Sequence, residues 1–75
     1  MVRSFQTIQR DLAANLRDAR LRAGMSQESL ALTAEVDRTY VSQIERGIGN
    51  PSVHVLAKLA GCLDLDFCAL TRPRT

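Results

Sequence analysis

Apolar residues along this chain recur at helical spacing and nowhere alternate as a strand would. Ile8, Leu12, Leu16, Ala19 and Ala23 form one stripe, which predicts a first helix from about Gln6 to Ala23 ended by Gly24. Ser26 then offers a capping hydroxyl with Glu28 just behind it, both favourable at the positive end of a helix dipole. A short second helix follows, with Leu30, Ala31 and Ala34 on its inner side. Ala34 to Val36 makes a tight turn, with Val36 plugging the corner, and Asp37 caps a third helix, Arg38 to Arg46. Gly47 terminates it and opens the longest flexible stretch, Gly47-Ile48-Gly49-Asn50-Pro51, from which Ile48 is expected to turn back into the core. Ser52 caps a fourth helix reaching Leu63, on which Val53, Leu56, Leu59, Ala60 and Leu63 make a buried stripe. Asp66 caps a short fifth helix, Phe67 to about Leu70. The expected fold class is all-α, with five helices in one domain over residues 1–75, an ordered core from about 6 to 70 and a flexible tail, 71–75.

The third helix carries the chemistry. At roughly 100° per residue its polar side chains Arg38, Ser42, Arg46, Thr39 and Gln43 fall within an arc of about 140°, while Val41 and Ile44 face inward. These exposed types fit base edges: arginine matches the two guanine acceptors, glutamine the donor and acceptor pair of adenine, and threonine a thymine methyl or a polar edge. Many solvated helices have a polar face, so the arc does not decide the matter alone. The short helix and tight turn before it add more, because that arrangement lays the second helix of a pair in a DNA major groove. Arg38, Thr39, Ser42 and Gln43 are therefore the candidate base readers. Arg46 and Asn50 are candidate phosphate contacts, Arg17 could reach the DNA backbone from the first helix, and Tyr40 could either touch a phosphate or simply pack its ring.

The residues Gly24-Met25-Ser26-Gln27, Leu30-Ala31, Asp37 to Gly47 and Asn50-Pro51-Ser52 resemble the Cro/C1-type (XRE-like) helix-turn-helix regulators. The block from Asp37 to Arg46 is especially similar to the controller proteins of restriction-modification systems. The resemblance runs from about Leu16 to Leu70. It implies five helices with the second and third as DNA reader, a phosphate contact at Gln27, and an ion pair between Arg20 and Glu45 that ties the first helix to the third. Gln27 has a free amide beside unpaired backbone N–H groups, which suits a phosphate oxygen. Two positions depart from the family pattern, which favours glycine at both: Glu35 in the turn and Asp64 after the fourth helix.

Composition narrows the picture without changing it. The 75 residues are 45% hydrophobic with only 4% aromatic, enough for a small aliphatic helical core to which oligomerisation could add burial. A net charge of +2 permits nucleic-acid binding and does not by itself suggest it. Nine of the ten basic residues are arginine, the better bidentate partner of phosphate and guanine, although a GC-rich genome gives the same bias. No apolar run approaches the roughly 18 residues of a membrane span, and the start lacks a signal peptide's apolar stretch, so a cytoplasmic protein is expected. Cys62 and Cys68 lack metal-site spacing and read as free thiols, with a bridge between protomers as the sharper alternative. No metal or cofactor is expected, and no nucleophile with a base or phosphate loop suggests an enzyme.

Leu65, Phe67 and Leu70 are many apolar groups for one short terminal helix to hide, so a homodimer interface is expected there, with Phe67 as its anchor. Alternatively all three close the monomer core. The resulting expectation is a transcriptional regulator that binds double-stranded operator DNA as a homodimer, most like a restriction-modification controller, with RNA polymerase as a further candidate partner. A phage-type repressor is the near rival, and an antitoxin-like protein-binding module the rival from another class.

Overall fold

Every helix opens at a serine or aspartate that takes up a backbone N–H its first turn leaves unpaired. The computed structural model describes residues 2–74, and five helices account for its regular structure. Ser4 accepts from the Thr7 N–H ahead of α1 (Phe5–Arg22), a cap that starts the helix one residue before the predicted Gln6. Ser26 and Ser29 bond reciprocally, each hydroxyl to the other's backbone N–H at 3.0 Å, and open α2 (Gln27–Ala34). Asp37 accepts from the Thr39 N–H at 2.8 Å at the head of α3 (Arg38–Glu45). Ser52 and Asp66 do the same for α4 (Val53–Cys62) and α5 (Phe67–Thr71).

The first four helices also end alike. Gly24, Glu35, Gly47 and Asp64 all adopt left-handed backbone, with φ of 71°, 58°, 73° and 56°. The residue after each sends its N–H back five positions: Met25 to Arg20, Val36 to Ala31, Ile48 to Gln43 and Leu65 to Ala60, at 2.9 to 3.1 Å. This closure satisfies carbonyls that the last turn leaves open and aims the following apolar side chain inward. Met25, Val36 and Leu65 do pack on the core. Glutamate at position 35 costs on the order of 1 kcal/mol relative to glycine, whereas aspartate at 64 tolerates the conformation better than most side chains.

Leu12 and Leu16 of α1, Leu30, Ala31 and Ala34 of α2, Val41 and Ile44 of α3, Leu56, Leu59 and Ala60 of α4 and Leu70 of α5 form one aliphatic core. Helix α1 packs on α3 and α5, while α4 packs on α2 and α5, so the reader helix is backed by α1 and α2. Four expectations from the apolar pattern fail here. Val53 lies at the first turn of α4, beyond the reach of its neighbours, and is 69% exposed. Ala23 sits past the last turn of α1 and is exposed. Ile48 is 43% exposed instead of buried, held against the surface of α1 and α3. Leu70 is fully buried in the monomer and so cannot also form a dimer face.

The two edges of the apolar stripe on α1 carry polar residues that are also buried: Asp11 and Asn15 on one, Arg20 on the other. Asn15 donates through Nδ2 to the carbonyls of Leu70 and Arg72, both at 2.9 Å, and its Oδ1 accepts from Arg74. Arg3 pairs with Asp11 at 2.7 Å and donates to the Thr71 carbonyl, and Arg74 pairs with Asp18 at 2.7 Å. The chain from Thr71 to Arg74, expected to be a loose tail, is therefore docked on α1, with Thr71 inside α5; Thr75 and Met1 lie outside the described residues. Among those residues no buried side-chain N or O lacks a hydrogen-bond partner.

Candidate nucleic-acid interface

The turn between α2 and α3 is built from local chemistry. Glu35 turns left-handed (φ 58°, ψ 44°), Val36 follows it onto the core, and Asp37 caps the next helix at once. The hydrogen bond from the Thr39 backbone N–H, with the Thr39 side chain aiding it, holds the Asp37 carboxyl below the usual aspartate range. The cap is therefore charged throughout the physiological range and favours the positive end of α3.

Val41 and Ile44 anchor α3 from below, essentially inaccessible to solvent. Arg38, Thr39 and Arg46 project outward, and Tyr40 is 45% exposed with its ring at the rim. Ser42 and Gln43 are half-buried. The arc that the sequence places on one face is thus open to a partner, although Arg46 caps the helix instead of lying within it. Gln43 and Tyr40 also border a hollow shared with Gly49, Asn50 and Pro51, which brings the exposed Asn50 beside the reader face. Arg17 is exposed on α1.

A buried polar bracket sets the far end of α3. Arg20 grips Glu45 with two bonds, Nε to Oε2 at 2.6 Å and Nη2 to Oε1 at 2.9 Å, and its remaining nitrogen donates to the Met25 carbonyl at 2.8 Å. Only 10% of the Arg20 side chain and 3% of that of Glu45 remain exposed. Hydrogen bonding to the Glu45 carboxylate, opposed by burial and aided by that group's charge, raises the Arg20 pKa above the ordinary arginine value. Gln27 joins this bracket, donating from Nε2 to Glu45 Oε1 at 3.1 Å. Its amide is therefore not free, contrary to the sequence-based expectation, because Glu45 supplies an acceptor from a helix 18 residues away. The α2 N-terminus at Ser26 to Ser29 and the first residue of α3, Arg38, border one shallow depression, so an anion there would meet both.

At the other pole, Phe67 and Leu65 are half-buried against the core and border solvent. Cys62 is half-buried and Cys68 exposed, both as free thiols. Among the described residues no cluster of three or more metal-ligand side chains occurs, and no helix is long and apolar enough to cross a membrane.

Sequence reasoning missed two groups in this region. Ser29 could have been found as the reciprocal partner of Ser26, three residues on. Gln9, which bonds the carbonyl of Gly49 from α1, carries no local signal because its partner is 40 residues away.

The helix-turn-helix family profile HTH_3 matches residues 16–70. A hypothetical transcription factor of Neisseria meningitidis serogroup B is 38% identical over 68 residues, which is 91% of this chain and 64% of that protein. The chain thus spans less than two thirds of this curated relative's length. The crystal structure of a hypothetical transcription factor from Neisseria superposes with a TM-score of 0.86 at 36% identity, over 97% of this chain and 84% of that one. The restriction-modification controller protein C.AhdI of Aeromonas hydrophila gives 0.79 at 39% identity, over 83% and 94%. The controller protein C.Esp1396I, solved bound to a 19 base pair DNA duplex, gives 0.76 at 30% identity, over 84% of each chain. With α2 and α3 in this arrangement and the family match covering most of its length, the chain belongs to the Cro/C1-type helix-turn-helix family of DNA-binding transcriptional regulators, and its structural neighbours include restriction-modification controllers.

Proposed function

We propose that the chain acts as a homodimer on a two-fold-related operator and controls the genes of a restriction-modification system from within the cytoplasm. The observation that carries this reading is the outward arc of α3. Its polar side chains are presented on a helix whose inner face is locked by Val41 and Ile44 and whose end is held by the Arg20–Glu45 pair. Arg38, Thr39, Ser42 and Gln43 read base edges in the major groove. Arg46, Tyr40, Asn50 and Arg17 meet phosphates along its margins, and Gln27 does so either with its second amide hydrogen or by leaving Glu45. Likeness to C.AhdI and C.Esp1396I supports the controller role, and the DNA-bound form of the latter supports duplex DNA as partner.

Two copies related by a dyad would join through Phe67 and Leu65, placing their reader helices about one DNA turn, roughly 34 Å, apart. Occupancy then follows protein concentration through dimerisation, which suits a regulator of its own promoter. RNA polymerase becomes a further partner where a bound dimer sits beside a promoter.

The test uses a duplex selected by the protein from a randomised pool. Arg38→Ala or Gln43→Ala is expected to lose about 1 to 3 kcal/mol on it and to relax preference at one base pair. Gln27→Ala is expected to weaken binding to all duplexes alike. An equal loss on selected and random DNA for Arg38→Ala and Gln43→Ala would remove base reading from α3.

A further inference from the structure

Residues 5–15 of α1 precede the segment that the family profile covers, yet they reach the reader face. Gln9 Nε2 donates to the carbonyl of Gly49 at 2.6 Å, fastening α1 to the loop between α3 and α4. Beside this bond Leu12, Ile44, Ile48 and Pro51 border a gap of only about 10 Å³, so the loop is seated closely on the helix. Gly49 has a φ of +82°, and a Cβ placed on it would stand 3.4 Å from Gln43 Oε1 and 3.8 Å from Gln43 Cβ. Gly49 therefore approaches the side chain of Gln43 with room for about one methyl group between them, while its carbonyl is held from behind by Gln9.

We infer that Gln9 is a positioning residue for base recognition: it fixes Gly49, and Gly49 limits the poses open to the Gln43 side chain before DNA arrives. The inference rests on the proposed reading of Gln43 as a base reader. A glutamine amide discriminates adenine only when both its groups meet the base edge in plane, and a free side chain must give up its rotamer freedom to do so. A wall on one side of that side chain removes poses in advance, and preorganisation of this kind favours one base over others without adding a contact. The wall is itself a loop with two left-handed glycines, Gly47 and Gly49, so it needs an outside anchor to stay in place. Gln9 supplies one from a rigid helix.

The experiment compares wild type with Gln9→Met, which keeps length but cannot donate, Gln9→Lys, which restores a donor, Gln43→Ala, and the double variant Gln9→Met/Gln43→Ala. Each is titrated against a selected duplex and against that duplex with single base pairs replaced, and the ratio of affinities is read at every position. Gln9→Met should lose roughly three- to tenfold of discrimination at the base pair that Gln43→Ala relaxes, a size expected for one hydrogen bond. Other positions should stay close to wild type, and the melting temperature should fall by no more than the few degrees that one hydrogen bond accounts for. Gln9→Lys should retain the ratio, since its added charge acts equally on all sequences, and the double variant should be no less selective than Gln43→Ala. Loss spread evenly over positions, additive losses in the double variant, or unchanged discrimination in Gln9→Met would overturn the inference while leaving base reading intact. If Gln43→Ala itself relaxes nothing, the base-reading role fails first and the inference with it.

Discussion

Helices α3 and α5 are both too short to persist alone, and they are held in opposite ways. Val41 and Ile44 fasten α3 through apolar contact, which leaves its polar side chains pointing outward. Helix α5 buries Leu70, but its C-terminal end is fastened through polar groups: Asn15 takes the Leu70 and Arg72 carbonyls, and Arg3 takes that of Thr71. What remains at its margin is apolar, namely Phe67 and Leu65. How a short helix is anchored thus decides which kind of surface it can still offer. One offers hydrogen-bonding groups that suit a base edge, the other a surface that suits a second protein copy.

The strongest way to break the first arrangement is through its polar bracket. Glu45→Ala should destabilise the fold by about 3 to 5 kcal/mol in thermal or urea unfolding, because it leaves Arg20 buried without its partner. For a domain this small that is most of the expected stability. Replacing Arg20 and Glu45 together by apolar residues of similar size should cost much less, and reader alignment would then fail more than folding does. An undiminished fold in Glu45→Ala would mean that the apolar pair alone anchors α3.

The second arrangement is tested by Asn15→Ala, which strands two carbonyls and should cost about 1 to 3 kcal/mol. Hydrogen exchange should show the loss concentrated in α5. Phe67→Asp should change stability less and instead give monomers by sedimentation; a persistent dimer would place the interface elsewhere.

The smallest effect concerns acid. The folded pKa of Asp37 is depressed, so its contribution is fully present above the unfolded aspartate value of about 4 and is lost as pH falls through the lower folded one. The contribution of Asp37 to unfolding midpoints followed by circular dichroism should thus be constant between about pH 5 and 8. The wild-type advantage over an Asp37→Ala variant should shrink only below about pH 4. An advantage that persisted at pH 2 would show the cap to work without its charge.

Much of this architecture is legible from the residues because it rests on local chemistry. Ser26, Asp37, Ser52 and Asp66 act within three residues of themselves, and each marks a helix start where it was expected. The left-handed turns at Glu35 and Asp64 were legible as departures from glycine, and the exposed arc of α3 followed from its period. Apolar spacing was a weaker guide at helix ends. It placed Val53 on the right face of α4 but could not show that its turn overhangs the core. Nor could it show that Leu70 is wholly covered by its own monomer.

By itself, then, the order of residues determined five helices, the caps of the last four, the tight turn and the polar face after it, since all of these depend on neighbours within a turn or two. Only the tertiary structure decided that Gln27 spends an amide hydrogen on Glu45, that Asn15 seals α5, and that Gln9 braces the loop beside Gln43. Each of those rests on one or two hydrogen bonds between groups 18 to 57 positions apart, and a bond of that reach exists only once the core has brought its ends together.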